Sequence, residues 1–182
     1  MNEDTERRSN FLNPWRLLGW GAIAGLISLP AVAMQFTREV DWTISDFVIA
    51  GILLGGVGLA FEMAVRASGS VAYRAGVAVA LALSLLLLWV NAAVGIVGSE
   101  DAPINLWFNL IPPLALMGAI GARFRPLGLA AAMTATAGAQ LLVGAIMQAE
   151  GHFTWVFTGL WTGGWLLAAA LFREAAGESE AG

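Results

Sequence analysis

The chain has 182 residues, 58% of them hydrophobic and 12% charged, with a formal net charge of -4. A water-soluble fold of this size cannot hide so much apolar surface, so the bilayer is the expected solvent. The absence of cysteine and the single histidine, His152, exclude disulfides, thiolate catalysis, iron–sulfur clusters, bis-histidine haem and most zinc sites. No basic block points to nucleic acid.

In chain order, a polar N-terminal tail, 1–13, precedes six apolar runs, 17–34, 47–65, 75–98, 106–122, 127–147 and 153–172, and a polar tail, 174–182, closes the chain. A helix needs about 20 residues to cross roughly 30 Å of hydrocarbon. The runs lack the alternation of barrel strands, and only helices or closed barrels satisfy their backbone groups in lipid. The predicted fold is all-α: a six-helix transmembrane bundle within residues 14–173, with antiparallel neighbours and short loops. The first run follows Arg7, Arg8 and Arg16 and ends near "AVA", Ala31–Ala33. That pattern resembles a signal peptide with its cleavage site, and "RRSNFL" loosely resembles a twin-arginine signal. The apolar run continues through Met34, which favours a retained, Pro30-kinked helix over cleavage.

"DWTISDF" reads as a helix start, with Thr43 or Ser45 as cap and Asp46 in the first turn. "GAIAG" (Gly21, Gly25) and "GILLG" (Gly51, Gly55) on the first two runs are G-x-x-x-G patterns. They suggest close helix contact, or association with a second copy or a membrane partner. Glu62 is the ionisable residue deepest in an apolar run. It precedes Arg66 by four residues, a spacing that predicts an ion pair on one helix face; a buried proton or cation site is the alternative.

Asn91, Asn109 and Gln140 sit at comparable heights on the third, fourth and fifth runs. They are expected to act as interhelical amide contacts, or to line a polar pocket. The fourth run also carries Pro112-Pro113, which can break its helix. Between the third and fourth runs, Glu100-Asp101 reads as a wet hinge, its exit eased by Gly95 and Gly98. With Asp46, Glu150 and His152, these acids form a candidate rim on one side of the membrane. Their spread over separate loops lacks the regular spacing of a calcium or magnesium cage, so no metal and no cofactor is expected.

Arginine sets the orientation. With both termini cytoplasmic, Arg7, Arg8, Arg16, Arg66, Arg74, Arg123, Arg125 and Arg173 lie inside and only Arg38 outside. Trp15 and Trp20 fall at the inner boundary and Trp42, Trp107 and Trp155 at the outer one, as an aromatic belt does. Trp89, Trp161 and Trp165 lie deeper, where they pack or face lipid. The alanine- and glycine-rich, lysine-free composition suggests a bacterial source, hence the inner membrane.

The segments "AMQFTREVDWTISDFVIAGILLGGVGLAFEMAVR", "WVNAAVGIVGSEDAPINL" and "GARFRPLGLAAAM" resemble a family of small bacterial multi-pass membrane proteins with a WxNxAVGIIGSED-type segment. Ala102 and Leu129 stand where that pattern has Asn and Met. The resemblance implies a multi-helix membrane protein and no particular reaction. A serine protease would need a histidine inside the membrane, and a zinc protease the H-E-x-x-H motif; neither is present. The expected function is therefore a non-enzymatic accessory or scaffold component of a membrane assembly. A small transporter or channel for an ion or small solute, with an outward-facing polar pocket, is the alternative.

Overall fold

The computed structural model describes residues 14–181, which contain no β strand. The long helices are α1 (Pro14–Ala33), α2 (Ile44–Ala67), α3 (Val71–Val94), α6 (Pro126–Ala149) and α7 (Trp155–Ala181). Between α3 and α6 lie a 3-10 turn, Pro103–Asn105, a single helical turn α4 (Leu106–Asn109), and α5 (Ile111–Gly121). Six helical segments among the described residues are long and apolar enough to cross a membrane, Pro103–Gly121 counting as one. The protein is a multi-pass helical membrane protein. The N-terminal tail, with Arg7, Arg8 and the signal-like "RRSNFL", lies outside the described residues.

The chain divides into two compact units at Glu62–Met63, near the end of α2. In the first, α1 exposes Leu17, Leu18, Leu26, Leu29 and Val32, and no described α1 side chain is buried. Its contact with α2 is made by long side chains: a Cβ on Gly58 would lie 2.6 Å from Ile23 Cδ1 and 3.5 Å from the Trp20 ring. The start of α2 is capped in the expected place. The Asp46 carboxylate accepts the Thr43 backbone N–H (2.7 Å) and hydroxyl (2.8 Å), satisfying a donor that the first helical turn leaves without a partner.

The second unit has its own core. Small residues let the helices approach: Ala115 and Ala119 on α5, Ala130 and Ala137 on α6, and Ala168, Ala169 and Ala175 on α7 are all buried. Trp165, Phe172, Met133, Met147, Phe108 and Leu87 fill the space between them. Large apolar side chains such as Leu116, Met117, Leu142, Leu160 and Leu167 point outward, an arrangement suited to hydrocarbon rather than water. α7 packs against both α6 and α3, and α6 against α5.

Boundaries differ from the hydropathy reading where local chemistry decides them. α3 starts at Val71 because Ser70 Oγ accepts the Tyr73 N–H (3.0 Å), and it stops at Val94 because Gly95 has φ +72°. A Cβ at Gly95 would lie 2.6 Å from the Ser99 carbonyl group. Arg74 closes the preceding turn by donating to the Ser68 and Val65 carbonyls at 2.8 and 3.0 Å. The last helix continues past Arg173 to Ala181, burying Ala175 on the way. Charge ends an apolar run but does not end a helix, since Arg, Glu and Ala are all good helix formers.

The fourth run is the main departure. It was expected as one helix over 106–122, and it is interrupted at Leu110. Pro112 and Pro113 lack the N–H groups that would bond to the Phe108 and Asn109 carbonyls, so the helix restarts after Leu110. The α5–α6 turn carries a second irregularity: Arg123 and Phe124 are consecutive non-glycine residues at φ +51° and +57°. The Phe124 carbonyl accepts the Tyr73 hydroxyl at 3.1 Å, tying this turn to α3.

Candidate functional site

The predicted polar residues separate into three places. In the first unit, Glu62 is mostly buried and meets α1, a partner that the i, i+4 reading with Arg66 did not include. Its carboxylate pairs with the Arg16 guanidinium and accepts the Trp20 indole N–H at 3.1 Å. One acid thus holds two side chains one turn apart on the antiparallel neighbour. The Gly21, Gly25, Gly51 and Gly55 positions make no such contact, for nothing lies within 4 Å of where their Cβ atoms would stand. The expected contact of the first two helices exists, but through Gly58 and Glu62 instead.

The second place is the α3–α4 connection. The Asn91 amide donates to Asn109 Oδ1 (2.7 Å) and to the Asn105 carbonyl (3.0 Å), so two of the three predicted amides meet. Asn105, which the sequence reading passed over, is the centre of this loop. Its Oδ1 accepts the Ile96 and Val97 N–H groups (3.2 and 2.9 Å), and its Nδ2 donates to the Val97 and Ser99 carbonyls (3.1 and 2.8 Å). All four hydrogen-bonding positions of one buried amide are used. The side chain acts as a substitute strand, pairing loop backbone that neither helix can satisfy. Glu100 and Asp101 form the exposed tip of this pinned loop, as expected of a wet hinge.

No family model, curated protein or solved structure matches this chain. What the site can do therefore rests on its geometry. Among the described residues, no three acidic or imidazole side chains converge. Asp46, placed in the candidate rim by sequence, is committed to capping α2.

The third place is the α6–α7 seam. Gln140, on α6, is fully buried, yet neither its Oε1 nor its Nε2 has a hydrogen-bond partner among the described residues. It does not join the Asn91–Asn109 contact. The facing helix presents Thr154, Thr158 and Thr162, one turn apart, and then Trp165. All four are buried, and their Oγ1 or Nε1 atoms likewise lack partners. The helices touch where a Cβ on Gly144 would lie 2.5 Å from the Thr158 side chain. One turn further along each antiparallel helix stands Gln140 on one side and Thr162 on the other. Asn91 Oδ1, on α3, is a further buried acceptor without a partner. Helical threonines ordinarily return their hydroxyls to the carbonyl four residues back, as Thr134 and Thr136 do here at 2.8 and 2.9 Å. The i, i+4, i+8 threonine spacing was visible in the sequence; what it faces was not.

Proposed function

We propose that the protein is a non-enzymatic, multi-pass accessory component of a bacterial cytoplasmic membrane, with its arginine-bearing helix ends inside. It belongs, on this reading, with the small membrane proteins that carry the GSED-type segment. It works by association, through the smooth faces of α1 and α2. The observation that carries this reading is that nothing lies within 4 Å of the Cβ positions of Gly21, Gly25, Gly51 and Gly55, although close approach is the main advantage of glycine in a membrane helix. Small faces left open within one chain suit a second copy or another membrane protein.

The test is paired substitution, Gly21→Leu with Gly25→Leu and Gly51→Leu with Gly55→Leu. Expected is loss of self-association or of the co-purifying partner, with thermal unfolding moved by no more than about 0.5 kcal/mol per site, as at positions without neighbours. Unchanged association in both pairs would remove the reading.

A second reading, a carrier of a small solute, is favoured by the Gln140 seam. Buried hydrogen-bonding groups cost roughly 1–3 kcal/mol each when left without partners, so a cluster of them supports a ligand. The interruption of the helix at Leu110 also suits a carrier, since broken helices border many transport sites.

A further inference from the structure

We infer that the acidic-end half of the α6–α7 seam is a binding site for a small uncharged solute bearing hydroxyl or amide groups. Gln140, Thr162 and the Trp165 indole would be its hydrogen-bonding contacts. The inference deepens the carrier reading, but binding is a separate claim from translocation.

The chemistry follows from the groups present. A carboxamide offers two donors and an acceptor, each hydroxyl a donor and acceptor, and the indole one donor. Among the described residues, seven side-chain atoms in the second unit are buried without a partner; Thr158 lies at the α6–α7 contact, and helical spacing sets Gln140, Thr154, Thr162 and Trp165 along the same seam. The buried polar residues of the second unit are all uncharged: Asn91, Asn105, Thr136, Gln140, Thr154, Thr158 and Thr162. An ion entering here would lose its hydration with no countercharge to meet it, whereas a neutral solute with both donors and acceptors matches the set.

The direction of access follows from the order of residues. Thr154 precedes the first turn of α7, beside the Glu150–His152 loop, and Trp165 lies ten residues into the helix, about 15 Å deep. The polar groups thus run from the acidic end to mid-helix. Beyond Trp165 the seam is apolar and closed: Ala168, Ala169, Phe172 and Ala175 of α7 are buried, as are Leu129, Ala130, Met133 and Ala137 of α6. A Cβ on Gly76 of α3 would come within 3.0 Å of the Phe172 ring. The polar stretch of the seam therefore ends toward one membrane face, and the seam is apolar toward the arginine-bearing end.

The test uses the full chain in lipid nanodiscs, with 15N-labelled tryptophan and Trp165→Phe to identify its indole signal. Glycerol and urea are titrated separately, with sodium chloride as the ionic probe. Expected is a saturable shift of the Trp165 indole N–H with glycerol or urea. The Trp161 indole, held by the Leu83 carbonyl at 3.1 Å, should stay in place. Thr162→Val should weaken binding by about tenfold, the loss of one hydrogen bond to a buried group, and Thr162→Ser should restore it. No saturable shift with either solute would overturn the proposal, because the seam would then hold water alone. Equal movement of Trp161, or saturation by chloride instead, would overturn it as well. Flux of glycerol or urea is measured separately in proteoliposomes. Binding without flux would leave the site standing and remove the carrier reading.

Discussion

Asn105 shows how much one side chain can organise. It replaces four backbone partners for the Ile96–Ser99 loop, and its own carbonyl anchors Asn91. Asn105→Ala removes all four side-chain bonds and strands buried loop groups, so a loss of about 2–4 kcal/mol is expected in thermal unfolding. Asn105→Asp keeps the two acceptor bonds and loses the two donor bonds, and should fall between. The Ile96 and Val97 amides should exchange with deuterium faster in the alanine variant; unchanged protection there would contradict the assigned role. Gly144 is the opposite case, a residue defined by the room it leaves. Its substitution by alanine forces a methyl against Thr158, and overpacking of this kind costs about 1–3 kcal/mol. Thr158→Ala in the same chain should recover part of that loss, a non-additivity read from a double-mutant cycle.

At the scale of elements, the fourth span is set by two prolines. They deprive the Phe108 and Asn109 carbonyls of donors, and the helix is interrupted at Leu110, between α4 and α5. Asn109 is thereby delivered to Asn91. Replacing both Pro112 and Pro113 with alanine should allow one continuous helix from Leu106 to Gly121. Amide exchange across Leu110 should slow, and the Asn91 side-chain amide should lose its Asn109 partner, visible as a shift of its 15N resonance. An unchanged exchange pattern would mean that packing, rather than the missing N–H groups, breaks the helix. This break was legible in the sequence as a pair of prolines; its use in placing Asn109 was not.

At the scale of the molecule, an even number of spans returns the chain to the side from which it started. Reporter fusions at the two termini should therefore report the same compartment, and that compartment should be the cytoplasm if arginine governs insertion. Fusions reporting opposite sides would remove one span from the scheme. The second unit also shows why this protein belongs in lipid. Its helices meet through buried alanines, threonines and amides, with a few large side chains such as Trp165, Met133, Met147 and Leu87 between them, while many other leucines, with Met117, face outward. In hydrocarbon there is no gain from hiding leucine, so helix contacts are left to groups that approach closely or hydrogen-bond.

The sequence by itself determined the solvent, the number of spans, the capped start of α2 and the wet Glu100–Asp101 hinge. Each follows from run length, from a local side-chain bond, or from charge that lipid cannot accept. Tertiary structure alone decided partners. Glu62 meets Arg16 rather than only its own helix, Asn105 gathers the Ile96–Ser99 loop that precedes it, and Gln140 stays outside the Asn91–Asn109 contact. Hydropathy assigns a residue to a depth along the membrane normal. It carries no information about rotation around each helix axis, and rotation is what chooses which polar groups share a seam.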